Sequence, residues 1–135
     1  MEIKHFFQKI FASGKEVQVP EIIKQNFKAQ FSDSLNTEWQ KNGHNFEVVF
    51  YKDEQEHIAT YNNEGIIICM KVNLPLSDVP ETINQAAQKQ GELMNAILID
   101  CSGSTQYELI VRDEQLIRYT ILLDDNGSIL RKEKL

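Results

Sequence analysis

No run of apolar residues in this 135-residue chain approaches the length needed for a membrane-spanning helix. Basic charge is also short, with 14 Lys and Arg against 20 Asp and Glu and a formal net charge of −6. Phosphate backbones are held by clustered cations, and those here are scattered among acids, which argues against nucleic acid as a partner. The acidic balance keeps such a chain soluble and favours basic partner surfaces weakly. Cysteine is scarce. The two present, Cys69 and Cys101, cannot build a disulfide framework and read as small reduced side chains on or near strands, with a bridge as the alternative.

The opening "MEIKHFFQKIFASGKE" lacks the continuous apolar stretch and small-residue cleavage site of a signal peptide. The expectation is a cytoplasmic protein, with a periplasmic or exported one as the alternative if Met1 heads a mature fragment. Chemistry-bearing clusters are lacking too. His5, His44 and His57 stand far apart, and none is spaced from another His, Cys or carboxylate as metal ligands are. Asp124, Asn126, Gly127 and Glu133 fall on calcium-loop positions, but the first position would be Leu122, which cannot ligate a cation. "CSGSTQ" at 101–106 has one Gly and no Lys and reads as a hairpin loop. Cys69 has no nearby His, and no nucleophile, base and orienter assemble locally. The reading is no enzyme, no metal and no cofactor.

What the chain does contain is a doubled pattern. "VPEIIKQNF" at 19–27 returns as "VPETINQAA" at 79–87. Each begins a helix after a proline, whose missing N–H would have no intrahelical partner there. Glu21 and Glu81 sit at the positive end of the helix dipole. Ile23, Phe27 and Phe31 form one apolar face, as do Ile83, Ala86 and Ala87, and Gly91 supplies a stop. Four short strands follow each helix: "TEWQK", "NFEVVFYK", "EHIATYN" and "IIICMKV", then "AILID", "QYELIVR", "LIRYTILL" and "SILRK". Asn42-Gly43 answers Ser102-Gly103, "DEQ" occurs at 53–55 and 113–115, and "NNEG" answers "DDNG".

The expectation is an α+β fold of two tandem repeats, 17–73 and 77–135, each a helix plus a four-stranded antiparallel sheet, packed as one compact unit. Trp39 and Ile99 are expected at corresponding places. Ile3, Phe6, Phe7, Ile10 and Phe11 have helical spacing and predict an extra amphipathic helix over 1–14.

The first copy resembles the PepSY-like family, also called beta-lactamase-inhibitor-like, through Pro20, Phe27, Phe31, Trp39, Phe46, Val48, Phe50 and Gly65. The second copy keeps Pro80, Tyr107, Leu109, Val111 and Gly127, while Ala87, Gly91 and Ile99 replace the family's aromatics and Ser32 stands where the family tends to have proline. The resemblance implies a tandem helix-plus-sheet fold and a non-catalytic, protein-binding role, inhibitory or sensory, in a family whose members are mostly exported.

Alternation along the strands divides the sheet into two faces. Phe46, Val48, Phe50, His57, Ala59 and Tyr61, with Tyr107, Leu109, Val111, Tyr119, Ile121 and Leu123, are expected to face the helices. Glu47, Val49, Tyr51, Ile58 and Thr60, with Glu108, Ile110, Arg112, Arg118 and Thr120, form the opposite face. That mixture suits protein contact, with Tyr51 and Arg112 as anchors. The competing expectation is that the N-terminal helix or a second subunit covers this face, which would make either a route to self-association. A small-molecule or cryptic catalytic site between the repeats, and surface docking on a membrane through "IKHFFQKIF", are the alternative functions.

Overall fold

The computed structural model describes residues 17–135. The expected N-terminal helix and His5 lie outside the described residues. The chain divides into two compact units on either side of the Val72–Asn73 bond. The first holds α1 (Glu21–Gln30), β1 (Leu35–Asn42), β2 (Asn45–Lys52), β3 (Gln55–Tyr61) and most of β4 (Ile67–Leu74). The second follows a 3-10 turn at Leu76–Asp78 with α2 (Glu81–Gln88), β5 (Glu92–Cys101), β6 (Ser104–Arg112), β7 (Arg118–Asp124) and β8 (Ile129–Lys134). Within each unit, strands consecutive in sequence pair antiparallel. The fold is α+β, as the sequence pattern predicts.

The helices start at Glu21 and Glu81, and each proline sits just before its helix and not within the first turn. Pro20 and Pro80 are caps with extended ψ of 142° and 149°. Their carbonyls accept the first helical bonds, from Ile23 and Lys24 in α1 and from Asn84 in α2. A proline there fixes φ and leaves no donor unsatisfied. Gly91 ends the second helical segment as expected. Its φ is 151°, and an added Cβ would lie 2.4 Å from the backbone oxygen of Arg112. That position is closed to any side chain.

Each helix presents two buried residues to the sheet of its own unit. Ile23 and Phe27 pack on Phe46, Val48, Phe50, Ala59 and Tyr61 in the first. Ile83 and Ala87 pack on Ala96, Tyr107, Leu109, Val111, Ile121 and Leu123 in the second. The first core is aromatic. Phe27 meets Phe50 edge-on at 5.0 Å and Trp39 at 5.5 Å, and Phe31 lies 4.8 Å from Phe50, separations that add to the burial energy of the rings. Tyr61 is buried and its hydroxyl donates to Gln30 Oε1.

Strand registers correct one expectation. Trp39 pairs with Val48, and the residue opposite Leu109 in the second unit is Ala96, with Ile99 three pairs nearer the hairpin tip, opposite Gln106. Beyond Lys41–Phe46 the first hairpin has a single further pair, Asn42–Asn45, whereas beyond Leu98–Tyr107 the second has three. Added pairs at a hairpin tip disturb nothing beneath them, so a sequence offset counted through the turn points to the wrong residue.

The shared "DEQ" also makes two different turns. Asp53 and Glu54 form a two-residue hairpin with φ of 53° and 63°, the mirror-image turn that matches strand twist. Asp113 instead anchors a longer loop, its Oδ1 accepting from the backbone N–H of Gln115 at 2.9 Å and Ile117 at 3.0 Å. Asn62 does the same for Glu64 and Ile66, and Asp124 for Asn126 and Ser128. The Asp124 carboxylate thus caps its own loop.

In the Asn62 and Asp124 loops the fourth residue is glycine with positive φ, Gly65 and Gly127. In the Asp113 loop it is Leu116 at φ 66°, with an exposed side chain. A leucine in the left-handed region costs about 1–2 kcal/mol. Leu116→Gly is therefore expected to stabilise the protein by several tenths of a kcal/mol after glycine's greater unfolded-state entropy is subtracted. Gly91→Ala should destabilise it strongly. Urea midpoints of the two variants, with unchanged slope, check both signs.

Candidate functional site

Alternation sorts the strands as expected: the apolar residues assigned to the helix-covered face belong to the two cores, with Tyr119 packed at the edge of the second and His57 half-buried against Phe50. The opposite face does not behave uniformly. In the first unit Val49 is fully buried, Ile58 is 7% exposed and Tyr51 9%. Glu56, opposite Tyr51 in the ladder, is also buried. Burial raises the Tyr51 pKa, and the carboxylates of Glu56 and Glu38 raise it further. Val49 and Tyr51 are therefore interior residues here, and Tyr51 does not present the open anchor expected of it. Glu47 and Thr60 remain half-buried at the margin.

In the second unit the same face is more accessible. Glu108, Ile110, Arg112 and Thr120 are partly exposed and Arg118 is exposed. Ile110 lies opposite Thr120, and Glu108 opposite Leu122. Arg131, opposite Leu122 on β8, adds a charge at the rim, and its Nε lies 3.9 Å from Glu133. Arg112 is engaged within the unit, its guanidinium donating to Glu92 at 2.7 Å across the strand pair. A solvent-exposed pair of this kind contributes about 0–1 kcal/mol. Asn95, at the β5 bulge opposite Ile110, is 6% exposed, and its amide N and O make no hydrogen bond among the described residues.

His57 and His44 differ in exposure. His44 lies exposed in the β1–β2 turn. His57 stacks on Phe50 at 5.2 Å, with Nδ1 3.0 Å from the Gln55 carbonyl, to which its protonated form donates. Burial lowers its pKa below the ordinary 6.5, against the smaller raising effect of that hydrogen bond, and Lys52 lowers it further. Burial pushes the Tyr61 phenol up to about 12.

The cysteines require a correction. Cys69 on β4 and Cys101 at the end of β5 are both disulfide-bonded, and neither is a free thiol. Counting cysteines bounds the number of bridges but says nothing of which strand positions meet in space. Among the described residues no three His, Cys, Asp or Glu side chains gather as a metal site would need, and no helix is long and apolar enough to cross a membrane.

A feature missed in the sequence reading is a cleft of about 530 Å³ in the first unit, between α1 and β1. It is lined by Lys24, Phe27, Lys28 and Phe31 from the helix and its end, Ser32 and Ser34 from the connection, and Thr37 and Trp39 from the strand. The i, i+4 spacing of the lysines was the available signal.

No family model and no curated protein matches the chain. Solved structures share its fold. One, from Bacteroides eggerthii and assigned provisionally to the periplasm, matches with a TM-score of 0.78 at 14% identity, over 87% of this chain and 90% of that one. A DUF2874 family protein from Bacteroides ovatus matches with a TM-score of 0.75 at 14% identity, over 87% and 89%. A BLIP-like protein from Bacteroides fragilis gives 0.72 at 12% identity, over 91% and 90%. The chain has the beta-lactamase-inhibitor-like fold. The expectation of a cytoplasmic protein is overturned by the first of these neighbours, and the bonded cysteines fit an oxidising compartment.

The His57 environment sets a pH dependence. The folded chain holds this imidazole neutral below the pH at which the unfolded chain protonates it, so the unfolded state binds more protons in that window. Stability is then fully present above about 6.5 and falls as pH drops from there through the lower folded-state value. His57→Gln removes that contribution. Its urea midpoint should decline less than that of the parent between about pH 7.5 and pH 5, and parallel declines would show that His57 does not titrate between the two states.

Proposed function

We propose that the chain is an exported, non-catalytic protein-binding module, inhibitory or sensory, built of two tandem PepSY-like repeats spanning 17–73 and 77–135. The repeat reading is supported by the common order of helix and four strands, by Pro20 and Pro80 at the two helix starts, and by the Asn62 and Asp124 loops with glycine in the same place. Export is supported by the disulfide-bonded cysteines. A fold shared with a BLIP-like protein supports a role in recognition.

The observation that carries the binding reading is the helix-distal face of the second unit. Ile110 and Leu122 are apolar and partly exposed there, with Glu108, Arg112, Arg118 and Arg131 around them. An apolar centre within a charged rim is the composition of a protein-contact patch. In the first unit Glu47 and Thr60 lie on that unit's own helix-distal face, which Val49 and Tyr51 support from within.

The test is capture of partners from an envelope extract of the native organism by the immobilised chain, compared with Ile110→Asp and Arg118→Glu. A protein retained in stoichiometric amount should bind either variant at least about tenfold more weakly, a loss of about 1.4 kcal/mol. Thermal midpoints should stay close to that of the parent. Undiminished binding by both variants would remove this face from consideration.

A further inference from the structure

The α1–β1 cleft has the chemistry of a site that nothing above uses. Lys24 and Lys28 lie one turn apart on α1 and both are exposed. Like charges at that spacing cost a helix about 0.2–0.5 kcal/mol. No carboxylate is among the eight described residues lining the cleft, although acids outnumber bases in the chain. Its floor is apolar, formed by Phe27, Phe31 and Trp39, and Ser32, Ser34 and Thr37 place hydroxyls along its rim. A negatively charged ligand with an apolar anchor fits this wall and floor.

The second half of the argument is the strand beside it. Among the described residues β1 pairs only with β2, and it is the outermost strand in its sheet. After the bulge between Leu35 and Glu38, its ladder runs without interruption from Glu38 to Asn42. No proline interrupts Glu38–Asn42, so the outward N–H and C=O groups of that stretch can accept another strand. A helix on one side and an outer strand edge on the other make a slot for an extended chain, with alternate side chains directed into the cleft.

We infer that the α1–β1 cleft binds an extended acidic peptide segment of a partner protein. The peptide adds a strand to the edge of β1, its apolar side chain enters the cleft over Phe27, Phe31 and Trp39, and its carboxylates meet Lys24 and Lys28. This site is separate from the sheet face proposed above and stands or falls without it.

Trp39 is the single tryptophan of the chain, so its emission reports on this cleft directly. The probe is the blocked hexapeptide acetyl-Glu-Thr-Phe-Thr-Glu-Thr-amide, titrated into the full chain. Saturable change in Trp39 emission in the micromolar range is expected, weakened at least about fivefold by Lys24→Gln with Lys28→Gln and by raising salt from about 20 to about 300 mM. The same peptide with Lys in place of Glu should not bind, and N-methylation of alternate amides on its pairing edge should weaken it about tenfold or more. Circular dichroism confirms that the double variant is folded. Equal binding of the acidic and basic peptides, indifference to the lysine substitutions, or indifference to N-methylation would each overturn the proposal. So would a dimer of the chain, seen by light scattering, that the acidic peptide fails to dissociate, because the edge would then belong to a second copy.

Discussion

A pleated strand sends alternate side chains to opposite faces, and the four strands of each unit must cover one apolar face with a single helix. That constraint organises both units. Ile23 and Phe27 do the covering in the first and Ile83 and Ala87 in the second. A helix that contributes only two buried residues has to be fixed in position by other contacts. The β3–β4 and β7–β8 turns provide them. Asn26 Nδ2 donates to the Gly65 carbonyl at 2.8 Å, and Gly127 comes so close to α2 that an added Cβ would sit 3.3 Å from Thr82. Glycine is required at these turns both for its φ and for the approach of the helix.

The two units meet the same constraint with different side chains. Rings of Phe27, Phe31, Trp39, Phe50 and Tyr61 fill the first, and mainly aliphatic residues fill the second, where Ala87 stands at the place of Phe27. The larger residues of the first unit hold its helix off the edge strand, and the cleft lies at that margin. Packing that is complete beneath Phe27 is open beside Phe31, which is only half-buried. The lysine pair, the aromatic floor and the outer edge of β1 belong to this one place.

Much of the fold was legible because it depends on local rules. Proline followed by glutamate marked both helix starts, and the alternation in "NFEVVFYK" located β2 to the residue. Core membership followed from the same alternation. What was not legible depends on meetings in space. Trp39 and Ile99 were equated by counting through a hairpin whose tip differs in length. Nothing in the spacing of Cys69 and Cys101 says that they are bonded. Period two says which side Tyr51 and Val49 take, while their burial depends on what lies over that side. The cleft was missed for the same reason, since Lys24 and Lys28 look like ordinary surface cations until Thr37 and Trp39 are brought beside them.

The position of Trp39 has a consequence for how this protein can be watched. Its indole packs edge-on against Phe27 at 5.5 Å, and the second unit contains no other indole. Tryptophan emission, excited beyond the tyrosine absorption band, is therefore a private signal of the first unit, whereas backbone circular dichroism sums over both. A difference between the two signals during unfolding would separate the cooperativity of the units without a label, and coincidence would show them melting as one.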